Sequence, residues 1–126
     1  MPELSASQED YLEAIYEIAG DNGVARVRDI AKHQNVSMAS VNGAMKRLVK
    51  YELINHGRYD YIELTDKGKK RAAKVAKCHA LLKKFLVDVL GVDKNTADKD
   101  ACAIEHHLSE ITVKKLITFL DRGTHG

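Results

Sequence analysis

Apolar residues recur at helical spacing between Gln8 and Ala19, where Tyr11, Leu12, Ile15, Tyr16 and Ile18 define a first helix. Ser7 is the expected N-cap, and Asp10 favours the positive end of the helix dipole. Gly20-Asp21-Asn22-Gly23 reads as a loop. Val24-Ala25-Arg26-Val27 leads into a short helix over about 28–34, with Ile30 and Ala31 facing inward. Asn35-Val36-Ser37 forms a tight turn, and Ser37 caps a helix over about 38–51 whose inner stripe is Val41, Ala44, Met45 and Leu48. Helix, three-residue turn and second helix with a polar outer face form a helix-turn-helix.

The period then changes. Leu53-Ile54-Asn55-His56 and Tyr61-Ile62-Glu63-Leu64 read as strands around a turn at Gly57-Arg58-Tyr59-Asp60. A hairpin directly after a helix-turn-helix is a wing. Thr65 caps a long helix over about 66–90, interrupted in propensity by Gly68 and apolar at Leu81, Leu82, Phe85, Leu86 and Val89. Gly91-Val92-Asp93 breaks it. Further helices are expected over about 95–107 and, capped by Ser109, over about 110–121. The expected fold is mainly α: a winged helix-turn-helix domain of the DNA-binding kind (residues 1–72) followed by a helical dimerisation domain (residues 73–126). Three helical pieces cannot bury the second domain's apolar surface alone, so a homodimer is expected.

The chain has 126 residues, 44% hydrophobic and 30% charged, which suits an ordinary globular chain. No apolar run approaches the roughly 18 residues of a membrane span. Met1 to Ser5 lack the features of a signal peptide. Two cysteines do not make a disulfide framework, so a cytoplasmic setting is expected. One proline, no tryptophan and 6% aromatics argue against a β-sandwich. The net charge is only +2, but six cations lie between Arg26 and Lys50 against Asp29 alone, and eight between Lys67 and Lys84 with no acid. Two such runs point to a polyanion partner.

The densest chemical signal is Cys102-Ala103-Ile104-Glu105-His106-His107. On a helix, Cys102, Glu105 and His106 share one face, offering a thiolate, a carboxylate and an imidazole to a divalent transition metal. The plainer alternative is a packed Cys102 beside exposed Glu105 and His106. Asp10 and Glu13 share a face of the first helix, a pattern usually meaning solvated surface. His79 follows Cys78, which reads as a packing residue. Asp98 and Asp100 favour the N-terminus of their helix.

The chain resembles the DtxR/MntR family of iron- and manganese-dependent repressors. The resemblance runs through Glu9-Asp10-Tyr11-Leu12-Glu13-Ala14-Ile15-Tyr16, Ala25-Arg26-Val27-Arg28-Asp29-Ile30-Ala31 and Val36-Ser37-Met38-Ala39-Ser40-Val41. It continues in Leu64-Thr65-Asp66-Lys67-Gly68, Cys78-His79-Ala80-Leu81-Leu82 and Ala101-Cys102-Ala103-Ile104-Glu105-His106-His107-Leu108. It implies a main metal site from Asp10, Cys102, Glu105 and His106. It implies a second from His79, Glu13 and Asp98, with Glu105 or Cys102 bridging. Asp10 and Glu13 resemble the manganese branch, where the iron branch has methionine at the first position. Cys102 resembles the iron branch, where the manganese branch has glutamate. Lys83 falls where the iron branch has a ligating glutamate, and no segment matches that branch's SH3-like domain. The expected metal is Fe(II) or Mn(II), with Co(II), Ni(II) and Zn(II) able to substitute.

The expected partner is a palindromic double-stranded DNA operator, met by two recognition helices about 34–36 Å or a multiple apart. Ser37, Ala39, Ser40, Asn42, Gly43 and Lys46 face away from the inner stripe, and the Asn42 amide suits an adenine edge. Ser37, Ser40, Arg26, Arg28, Lys46, Arg47 and Lys50 suit phosphates, and Arg58 sits at the wing tip. Two rival readings are a metal-independent winged-helix regulator answering a small molecule or partner protein, and an enzyme with Cys102 as nucleophile and His106 or His79 as base. No glycine-rich phosphate loop accompanies the latter.

Overall fold

The computed structural model describes residues 4–20 and 23–123, so Asp21 and Asn22 of the expected loop and the first three residues lie outside it. The chain divides into two compact units, Met1–Lys74 and Val75–Gly126.

In the first unit, helix α1 spans Ala6–Ala19. Its N-cap is Ser5 and not the expected Ser7: the Ser5 hydroxyl accepts from the Gln8 amide at 3.1 Å, and the Ser5 amide donates to Gln8 Oε1 at 2.8 Å. This reciprocal capping box satisfies two amides that a helix start leaves unpaired, and Ser7 has no glutamine at that offset. Strand β1 (Val24–Arg26) was not foreseen, because three residues are too few to show a period. It pairs antiparallel with β3 (Tyr61–Leu64), which pairs on its other edge with β2 (Ile54–His56), giving the order β1-β3-β2. Ala25 faces Ile62 across the ladder, and both are buried.

Helices α2 (Val27–Gln34) and α3 (Met38–Lys50) form the helix-turn-helix. The turn needs a left-handed residue, and Asn35 supplies it at φ 56°. Ser37 caps α3 by accepting from the Ser40 amide at 3.1 Å, as expected. Leu12, Ile15, Val27, Ile30, Val41, Met45, Leu48, Ile54 and Ile62 are fully buried together. Each stabilises by roughly 1.5–3 kcal/mol relative to exposure, so the shared core and not helix propensity sets how these short elements pack.

Helix α4 spans Asp66–Lys84. Thr65 ties its start to the wing by donating to the Glu52 carbonyl at 2.7 Å while accepting from the Gly68 amide at 3.0 Å. A side chain at Gly68 would overlap the Leu53 carbonyl oxygen, which explains glycine in the first turn of a helix.

The expected long helix runs on without a break as far as Val89, but it is not α-helical throughout. After Lys84 the backbone widens into a π-turn over Phe85–Val89, with Leu90 donating to the Phe85 carbonyl at 3.3 Å. Gly91 ends it at φ 73°. Helix α5 (Lys94–Ile104) is capped by Asp93, which accepts from the Thr96 amide at 3.0 Å. It stops at Ile104, short of the expected His107, with Glu105 as its C-cap. Ser109 caps α6 (Glu110–Gly123) by accepting from the Thr112 amide at 3.2 Å. Cys78, Leu82 and Ala101 form a small core with Leu108, Val113 and Leu116 against it. Val89, Leu90, Ile104, Ile111 and Phe119 stay exposed.

Candidate metal centre

Within the second unit, α4, α5 and the turn that follows α5 bring five of the expected ligands together. His79 Nδ1 lies 2.7 Å from Glu105 Oε2, and His79 Nε2 lies 2.9 Å from Asp98 Oδ1. On the other side of the same carboxylate, His106 Nε2 is 3.4 Å from Glu105 Oε1. Cys102 Sγ and a Glu105 oxygen lie within 4.8 Å of each other. Glu105 therefore presents one oxygen towards His79 and Asp98 and the other towards His106.

Burial separates a site from a solvated surface. The Glu105 side chain is 0% exposed and that of His106 3%, against 56% for Asp98. The reading of Glu105 and His106 as exposed is thus corrected, and so is a packed Cys102, which is exposed. A carboxylate taken fully out of water needs a cation or strong donors around it. A buried carboxylate flanked by an imidazole and a thiol is a donor set that fits a divalent transition metal. Cys78 is buried, with its thiol 3.8 Å from the Glu105 carbonyl. The hydrogen bond from His79, aided by the Lys83 charge, holds the Asp98 carboxyl below the usual carboxylate range.

In the first unit, Asp10 is half-buried on α1, and Glu13 is buried at 9% exposure, which removes the solvated-surface reading of that pair. Glu9, beside them, meets Arg71 Nη2 at 3.6 Å.

The same unit carries the expected nucleic-acid face. Ala39, Ser40, Gly43, Lys46, Arg47 and Lys50 are exposed on α3 opposite buried Val41, Met45 and Leu48. Asn42 is half-buried, and Ser37, Arg28 and Arg58 are exposed. Arg26 is already engaged: it donates to the Tyr61 hydroxyl at 2.9 Å, with its guanidinium carbon 5.1 Å from the ring centre. Its first task is therefore to brace β1 against the wing. Between these elements runs a groove of about 310 Å³ lined by Arg26, Arg28, Met38, Tyr59, Asp60 and Tyr61. Sequence reasoning missed Tyr59, which the wing holds 85% exposed at φ 59°; a lone tyrosine in a turn carries no periodic signal.

Residues 3–61 match the family described as iron dependent repressor, N-terminal DNA binding domain. Residues 65–125 match its companion, iron dependent repressor, metal binding and dimerisation domain. The chain belongs to the iron-dependent repressor family. Among the relatives of this repressor family is an HTH-type transcriptional regulator of Methanocaldococcus jannaschii, 37% identical over 120 residues, covering 94% of this chain and 96% of the relative. The transcriptional regulator MntR of Bacillus subtilis is 38% identical over 110 residues, covering 87% of this chain and 77% of MntR. The solved structure of the manganese regulator SloR superposes with a TM-score of 0.80 at 29% identity, covering 90% of this chain and 53% of that one. This chain thus spans nearly all of the archaeal relative and about half of SloR. Family membership makes it a metal-responsive, DNA-binding transcriptional regulator with a dimerisation domain, in a family of regulators and not of enzymes. No helix among the described residues is long and apolar enough to cross a membrane.

Proposed function

We propose that the chain is a cytoplasmic repressor of metal-ion homeostasis whose binding to a palindromic operator is activated by Fe(II) or Mn(II). The observation that carries this reading is the fully buried Glu105 carboxylate between two imidazoles. Cys102, Glu105 and His106 are the proposed main ligands, completed by Asp10 as the family resemblance implies. His79, Asp98 and Glu13 are further donors that the family resemblance implies. A divalent ion held there would supply a cross-link among these side chains. Asp10 belongs to the DNA-binding half and Cys102, Glu105 and His106 to the dimerising half, so one ion shared among them would couple the two. A coupling of about 1–3 kcal/mol suffices for a usable switch.

The donor set mixes characters. Sulfur from Cys102 favours Fe(II), Co(II) or Zn(II), whereas the carboxylates favour Mn(II). Protons compete with metal at the Cys102 thiol and the His106 ring, so activation weakens at low pH. On the DNA side, Asn42 is the proposed base reader. Ser37, Ser40, Arg28, Lys46, Arg47, Lys50 and Arg58 are the proposed phosphate and groove contacts, with Ala39 and Gly43 allowing close approach and Arg26 bracing the wing.

The test is an anaerobic DNA-binding titration on the protein's own promoter region with Fe(II), Mn(II), Co(II) and Zn(II) compared. Metal-stimulated binding is expected; DNA binding indifferent to all four ions would favour a regulator answering another signal.

A further inference from the structure

The face of α4 that offers His79 to a metal also offers an ammonium. His79 and Lys83 are four residues apart and so lie one above the other on the helix. Lys83 Nζ is 3.5 Å from Asp98 Oδ1, the same oxygen that lies 2.9 Å from His79 Nε2. Two groups, an ammonium and an imidazole, thus converge on one oxygen of the Asp98 carboxylate.

We infer that Lys83 is the resident cation of the position formed by His79, Asp98 and the outer oxygen of Glu105, so that the chain takes one divalent metal per subunit and not two. This rests on the metal-centre reading above. The ion pair itself stabilises the fold little, since the Lys83 and Asp98 side chains are 40% and 56% exposed and solvent screens them. Its effect on a second metal is larger in kind. A divalent ion on Asp98 would bring two further positive charges against the ammonium, so the same lysine that balances Asp98 opposes the ion. The main position uses the other Glu105 oxygen, which faces the His106 ring at 3.4 Å and not the Lys83–Asp98 pair.

The experiment is equilibrium dialysis of the full chain against Mn(II) and Co(II), with bound metal counted by native mass spectrometry. The natural chain should hold one metal per subunit and Lys83→Gln two. Lys84→Gln changes the same charge one residue away, at an exposed position, and should stay at one. The Mn(II) form of Lys83→Gln should give the magnetically coupled spectrum of neighbouring ions, which the natural chain lacks. Two metals per subunit in the natural chain overturn this inference alone, as does a Lys83→Gln chain that still takes one. No metal in the natural chain overturns the metal-centre reading and this inference with it.

Discussion

At Gly68 two effects oppose each other. Alanine would gain about 1 kcal/mol of helix propensity. Its Cβ would meet the Leu53 carbonyl, an immovable backbone atom that also accepts the Thr65 amide at 3.0 Å. Overpacking of that kind costs about 1–3 kcal/mol. Gly68→Ala should therefore destabilise the DNA-binding unit, seen as a lower urea midpoint; an equal or higher midpoint would mean that the turn relaxes freely. Cys102 offers a different single-residue test. It is exposed, so Cys102→Ala should leave the fold intact while abolishing metal-stimulated DNA binding. The Co(II) form of the natural chain should show a sulfur-to-metal charge-transfer band that this variant lacks. Cys102→Glu should shift the response towards Mn(II), because hard oxygen replaces soft sulfur. Retained activation in Cys102→Ala would remove the thiol from the ligand set.

Among the elements, α3 and α5 carry consequences that can be measured. If α3 lies in a DNA groove, affinity should fall with salt at a slope of roughly −0.9 per phosphate contact. Replacing exposed Arg47 or Lys50 by alanine should weaken all sequences alike and flatten that slope. Changing Asn42 should relax preference at one base pair; because Asn42 is half-buried, a stability control belongs beside it. At α5, the hydrogen bond from the Thr96 amide holds the Asp93 carboxyl below the usual range. A lowered folded value adds stability above the unfolded value and loses it as pH falls through the folded one. Melting temperature followed between about pH 5 and pH 2 should fall less steeply in Asp93→Asn than in the natural chain. Equal slopes would mean that the charge at this cap is not linked to folding.

For the whole molecule, Ile111 and Phe119, 71% and 49% exposed on α6, join Val89, Leu90 and Ile104 as apolar surface that a single chain leaves in water. In a family with a dimerisation domain, that surface is where a second copy gains by burial. Phe119→Glu should give monomers in sedimentation velocity and lose operator affinity even with saturating metal. A stable Phe119→Glu dimer would move the interface elsewhere.

The helix-turn-helix, the wing and the caps at Ser37, Thr65 and Ser109 were legible because they are local: period, turn residues and hydroxyls act over a few neighbouring positions. Cys102, Glu105 and His106 were legible for the same reason, being close neighbours along the chain, although α5 ends at Ile104 and leaves Glu105 and His106 in the turn that follows. Other features were decided only by tertiary packing. β1 exists because β3 offers it an edge, since three residues have no strand signal of their own. The capping of α1 moved to Ser5 because Gln8 could answer it there. Glu13 and Glu105 look like any surface acids in the sequence, and only the packing around them takes them out of water. Lys83 was visible as an odd residue at its position. That its ammonium meets the same Asp98 oxygen as His79 depends on α4 and α5 lying side by side, and no spacing along the chain encodes that distance.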